Sequence, residues 1–140
     1  MIRRLSEEES LALLRGQRIA RLGCVAGGEP YVVPISYVFD ERFVLSHSLP
    51  GRKLTAMREH RRVCVQVDDI KDLCRWQSVI AYGRYEEITG HDERADALNC
   101  LLTLFPQLTP VESRIAEDAA SPPPVVFRIR VESLTGICEE

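Results

Sequence analysis

The stretch Phe43-Val-Leu-Ser-His-Ser-Leu-Pro-Gly-Arg-Lys53 concentrates more chemistry than any other part of this chain. Phe43 to His47 reads as a β-strand, and Ser46, His47 and Ser48 make its end polar. Pro50-Gly51 is a turn signal, after which Arg52 and Lys53 fall in the expected first turn of a helix. Backbone N–H groups at a helix start, joined by a guanidinium and an ammonium, form a site for a phosphate or another anion. Two cations there oppose the helix macrodipole, an unfavourable arrangement until an anion arrives. The competing reading is a pair of solvated helix-surface cations.

Three further features stand near this segment or could be brought to it. Pro34 interrupts an otherwise good strand pattern over 31–39 and cannot donate to a ladder. It marks an edge strand or bulge, or else a strand whose backbone is left free to face a flat ligand. Val33, Pro34, Ile35 and Ser36 precede the anion-site segment by about the span of one hairpin, so the two can lie side by side. His47 is a candidate acid or base, or simply a polar residue at a strand end. Gln77, Ser78 and Val79 follow Trp76, the only tryptophan, which is either ordinary packing or an aromatic wall at a subunit boundary.

The absences matter as much. There is no GxxxxGK[ST], no GxGxxG after a strand and no GxSxG, and no pair of carboxylates stands out as acid and base. Redox or group-transfer chemistry would therefore need a borrowed cofactor. His47, His60 and His91 form no ligand cluster, so no metal site is expected. Cysteines at 24, 64, 74, 100 and 138 show no CxxC spacing and are expected to be scattered, reduced thiols. The net charge of −3 argues against a general binder of nucleic acid or anionic membrane. Ser6-Glu-Glu-Glu9 interrupts any signal-peptide-like run, and no window approaches the roughly 18 apolar residues of a membrane span, so a cytoplasmic protein is expected.

A single domain over 1–140 is the reading of the chain length. Ser6 and Glu9 have the form of a capping box opening a helix over 7–15. Strands are expected over 18–26, 31–39, 43–47, 62–69, 76–88 and 125–131, with Gly27-Gly28 turning the first hairpin and 68–75 as a polar connection. Helices are expected over 52–59 and 91–104, and a short one near 111–118 among the prolines. Five hairpin-linked strands and a late sixth suit a mainly β fold, a six-stranded antiparallel barrel with flanking helices.

Pro34-Ile-Ser36, Ser46-His-Ser with Gly51-Arg-Lys53, Arg62-Val-Cys-Val, Gln77-Ser-Val79 and Gly83 occur in this order over 18–88. Together with Val126-Phe-Arg-Ile and Leu134-Thr-Gly136, this series resembles the pyridoxamine 5′-phosphate oxidase-related flavin-binding split-barrel superfamily, and within it the 5-nitroimidazole resistance (Nim)-like branch. The resemblance implies a homodimer of split barrels with FMN bound in clefts between the subunits. By position, Arg52 and Lys53 would hold the FMN phosphate, and Ser46 and His47 would line the phosphate and ribityl region. Val33, Pro34, Ile35 and Ser36 would run beside the isoalloxazine ring, and Gln77, Ser78 and Val79 would touch the cofactor from a later strand. His47 would belong to the active site. The true oxidases carry Arg and Trp residues in a C-terminal segment that this chain, ending Thr135-Gly-Ile-Cys-Glu-Glu140, lacks, so oxidation of pyridoxamine phosphate is not expected.

The function implied is an FMN-dependent oxidoreductase that passes electrons from a reduced nicotinamide to a small nitro- or quinone-like acceptor, with acceptor contacts from 69–75 and 106–124. The alternatives are a non-catalytic flavin- or haem-binding store, with His47 as an axial ligand, and a deazaflavin-dependent reductase.

Overall fold

The computed structural model describes residues 1–104 and 123–140. Helix α1 (Glu7–Gly16) starts where the capping box places it: Glu9 N–H donates to Ser6 Oγ at 3.1 Å, and Ser6 N–H donates to Glu9 Oε1 at 3.0 Å. Strands β2 (Ile19–Ala26) and β3 (Glu29–Ser36) meet at Gly27 and Gly28, whose φ values of +59° and +80° suit the two-residue hairpin turn that glycine favours. Then follow β4 (Val38–Asp40), β5 (Phe43–Ser48), α2 (Arg52–Glu59), β6 (Arg62–Asp72), β7 (Arg75–Glu87), α3 (His91–Leu104) and β8 (Val125–Glu139). A short N-terminal strand, β1 (Ile2–Arg4), pairs with the far end of β8.

All pairings are antiparallel, in the order β3-β2-β6-β7-β8-β5-β4, and the sheet rolls into a split barrel. Its core takes the inward members of each alternation, including Leu22, Val65, Val67, Val79, Phe127 and Ile129, with Leu14 of α1 and Leu54 and Met57 of α2 packed in. Each is fully or almost fully removed from water, the main favourable term holding the fold. A smaller cluster of Val38, Leu45, Ile88, Ala97, Leu101 and Val126 seats α3.

The mainly β class holds, but the described residues form eight strands and not six. The stretch expected as one strand over 31–39 is split at Tyr37. That residue is fully buried, its hydroxyl donates to the Leu14 carbonyl, and its N–H donates to Arg18 O at 3.0 Å, in register with the β2–β3 ladder. Tyr37 thus pins α1 to the barrel at the junction of β3 and β4. The polar connection expected over 68–75 is mostly strand, because Asp68, Asp69 and Ile70 pair with Ser78, Gln77 and Trp76. Backbone pairing is indifferent to polar side chains that face water. The last strand runs to Glu139 because β7 and β1 continue to offer it partners. The helix expected near 111–118 lies outside the described residues.

Candidate functional site

Two elements that share no ladder meet where the sequence places its anion site. Ser46 of β5 is fully buried, and its Oγ donates to the carbonyl of Ser36, the last residue of β3, at 2.6 Å. The β3 edge is therefore fastened beside the β5–α2 connection. Pro34 pairs with Arg21 of β2, and β3 ends the sheet order, so the missing N–H of Pro34 sits on an edge strand where no ladder needs it. The edge reading and the free-backbone reading of Pro34 coincide.

The starts of α1 and α2 differ sharply. α1 is self-satisfied, with a side-chain cap and Glu7, Glu8 and Glu9 in its first turn. α2 begins at Gly51 with no side-chain cap and no acidic residue in its first turn. Its first intrahelical bond is Thr55 N–H to Gly51 O at 3.1 Å, which leaves the preceding N–H groups as donors for something else.

Arg52 and Lys53 are adjacent in sequence but do different things. The Arg52 guanidinium lies over the Tyr31 ring, 4.8 Å from its centroid. Arg52 also borders a cleft of about 180 Å³ formed with Ala26, Gly27, Thr55, Ala56 and Glu59. Lys53 is half-buried and makes no ion pair or hydrogen bond among the described residues. Burial alone pushes its pKa below the ordinary lysine value. A partly desolvated, unpaired ammonium on an uncapped helix start is stabilised by an incoming anion.

His47 is half-buried near the end of β5, opposite Val126 of β8. Val33 and Ser36 are half-buried, Pro34 is exposed, and Ile35 points into the core. Residues 33–36, 46–47 and 52–53 are thus gathered at one edge of the barrel. Residues 77–79 are not with them. β7 lies three steps from β3 through β2 and β6, and equally through β5 and β8, so it stands across the barrel from β3. Val79 is fully buried in the core, Ser78 Oγ accepts from Gln66 Nε2 at 3.0 Å, and Gln77 is exposed.

Tyr31 is the site residue that sequence reasoning missed. Its only local signal is an aromatic two residues before Val33; that it underlies Arg52 is a tertiary fact. Among the described residues no group of His, Cys, Asp and Glu could hold a metal ion, and no helix is long and apolar enough to cross a membrane.

The sequence profile of the family described as pyridoxamine 5′-phosphate oxidase matches residues 6–138. The crystal structure of an FAD-binding protein from Mesorhizobium loti superposes with a TM-score of 0.80 at 31% identity, covering 100% of this chain and 98% of that one. An uncharacterized protein of Rhizobium meliloti is 30% identical over 145 residues, 96% of this chain and 93% of its own. A Bacteroides thetaiotaomicron protein assigned to 5-nitroimidazole antibiotic resistance shares the fold, with a TM-score of 0.76 at 19% identity over 99% of this chain and 87% of that one. A match over nearly the whole chain, on a barrel of this topology, makes this protein a member of the pyridoxamine 5′-phosphate oxidase family.

Proposed function

We propose that this protein binds a flavin through its FMN moiety and acts as an oxidoreductase on it, passing electrons from a reduced nicotinamide to a small nitro- or quinone-like acceptor. One observation carries the reading: Lys53, half-buried and without a partner among the described residues, stands at a helix start that lacks both a cap and an acidic residue. The donor set fits a phosphate dianion, with first-turn N–H groups, one ammonium and one guanidinium. The edge of β3 from Val33 to Ser36, fastened by Ser46, offers an open strand to a flat ring. A bound flavin supplies hydride and single-electron transfer, and the chain's own residues bind it, orient it and limit water around it.

The same reading includes a homodimer with the cofactor at its seam. Residues 77–79 on β7 stand across the barrel from 33–36 on β3, so a second copy is the means of bringing them to the cofactor. Ile2, Ile70 and Ile137 are 62%, 65% and 44% exposed, and pairings through Trp76 and Glu139 gather them at one end of the outer sheet face. A cluster of this kind calls for a cover. Oxidation of pyridoxamine phosphate is not part of the proposal, because residues 135–139 are tied into β8 by β7 and β1.

The absorption spectrum of freshly purified protein tests the reading. Flavin bands are expected, and they should be lost when Arg52→Ala and Lys53→Ala are combined. A colourless protein that takes up no added flavin refutes it, and a Soret band would favour the haem-binding alternative. Steady turnover of a reduced nicotinamide with an added acceptor separates an enzyme from a store.

A further inference from the structure

We infer that the cavity enclosed by α1, the turn between β4 and β5, and the middle of β8 binds a small organic cation with an apolar body, an arylalkyl amine by class. None of its lining residues belongs to the flavin edge, so the inference does not rest on the flavin reading. The cavity measures about 430 Å³, within the range of small-molecule sites. It occupies a gap beside the sheet. β5 pairs with β8 as far as Arg130, and β1 takes over at Ile137. Val131 N–H donates to Arg42 O, and Leu5 N–H donates to Gly136 O, each at 2.9 Å. Between those two bonds no strand among the described residues covers this side of β8. α1 borders the gap through Glu7, Ser10 and Leu11.

The strongest pointer is Ser10. It is only 2% exposed, and its hydroxyl makes no hydrogen bond among the described residues. Its Oγ stands against β8, 2.5 Å from where a Cβ on Gly136 would sit, and both residues line the cavity. No fully enclosed side-chain polar atom among the described residues lacks a partner, so this hydroxyl opens into the cavity. A buried hydroxyl with no protein partner is stabilised by a ligand that bonds to it.

Charge sets the sign of that ligand. Glu7 on α1 and Glu41 on the turn border the cavity from different elements, and neither side chain makes a hydrogen bond or ion pair among the described residues. Glu132 adds another carboxylate, held by Arg84 at a loose 3.7 Å. Arg42 is the one cation in the lining, so the balance is negative. Glu41 keeps φ at +53°, a left-handed conformation that suits glycine or asparagine better than glutamate, and the turn nevertheless presents a carboxylate there. The attracted cation is not a metal ion, because among the described residues no group of His, Cys, Asp and Glu is placed to hold one. Half-buried Leu11, Phe39 and Leu134 supply apolar wall, which suits a hydrocarbon body behind the charged head. A carboxylate and the Ser10 hydroxyl can both accept from one ammonium, which has donors for each.

Calorimetric titration of the full chain in about 0.15 M salt, which screens exposed charges, tests the site. The probes are phenethylamine, hydrocinnamate, which carries a carboxylate on the same ring and spacer, and spermidine, which carries positive charge without a ring. Phenethylamine should bind saturably with a Kd of about 1 mM or lower, at least about tenfold more tightly than either other probe. Glu7→Gln combined with Glu41→Gln should weaken it about tenfold, and Ser10→Ala about threefold. Arg42→Gln removes the opposing charge and should tighten binding about twofold, a gain that a misfolded variant could not give. Glu7, Glu41 and Arg42 are exposed, so these changes leave the fold intact. Absence of saturable phenethylamine binding, hydrocinnamate binding as tightly, or indifference to the paired glutamate change would overturn the inference. Spermidine binding as tightly as phenethylamine would mean attraction to acidic surface alone and would overturn it too. The titration does not depend on bound flavin, so this inference and the flavin reading can each fail without the other.

Discussion

The Ser46 hydroxyl and the Ser36 carbonyl, 2.6 Å apart, join β5 to β3 where no ladder does. That one bond brings the open strand edge to the helix start that carries Arg52 and Lys53. It also gives the carbonyl of half-buried Ser36 a donor.

Ser46→Ala is expected to lower stability by about 0.5–1.5 kcal/mol, because it removes the donor to the part-buried Ser36 carbonyl. Flavin affinity should fall in addition, since the β3 edge is no longer fastened. Urea denaturation and flavin titration on the same variant measure the two effects, and a stability change below about 0.5 kcal/mol would mean that the bond contributes little.

Lys53→Met separates stability from binding. Burial lowers the pKa of Lys53 in the folded chain, so between that lowered value and the ordinary lysine value the unfolded chain holds more protons. Stability of the ligand-free protein therefore rises with pH through this window, and below it the desolvation penalty is present in full. At neutral pH, flavin-free Lys53→Met should have a higher Tm than flavin-free wild type, and the gap should narrow in alkaline buffer. The variant should bind flavin poorly at every pH. A lower Tm for Lys53→Met would show that its ammonium is not a strained, anion-seeking group.

Acid should loosen the N-terminal segment first. Side-chain hydrogen bonding to Arg3, then the Ser6 N–H, lowers the Glu9 pKa from 4.5 to about 2. Because the folded value is the lower one, the stabilisation is present above pH 4.5 and is lost as pH falls towards about 2. Glu9→Gln should flatten that limb of the stability curve. Salt should weaken the effect, because the Arg3–Glu9 pair is largely exposed. A denaturation series from pH 6 to pH 2 reads it.

Two glycines should respond oppositely to alanine. A methyl at Gly83, where the register of β7 against β8 shifts, would be driven into the Arg130 carbonyl oxygen, and Gly83→Ala should cost about 1–3 kcal/mol or more. A methyl at Gly16, the last residue of α1, meets nothing within 4 Å, so Gly16→Ala should be neutral or stabilising by up to about 1 kcal/mol. Thermal unfolding of the two variants side by side decides it.

Much of the site was legible residue by residue. Ser6 and Glu9 announce α1, Gly27-Gly28 announces the first hairpin, and strand, turn and paired cations over 43–53 announce β5 and the start of α2. Each of these signals acts between residues at most a few positions apart. Phases of hydrophobic alternation likewise told which faces of the strands turn inward, because burial follows the pleat.

Partners far along the chain were not legible in the same way. Nothing near Tyr37 says that its hydroxyl will meet Leu14, and nothing near Ile2 says that β8 will extend to receive it. The stacking of Arg52 on Tyr31, the desolvation of Lys53 and the placing of 77–79 on the opposite wall follow from the order in which strands close the barrel. The chain alone determined which segments become strand or helix and where its cations would stand, since those choices rest on short-range sterics and period. Packing decided which of those cations is desolvated, which ring lies beneath it and which wall each residue occupies, since these depend on distances set only when the whole barrel closes.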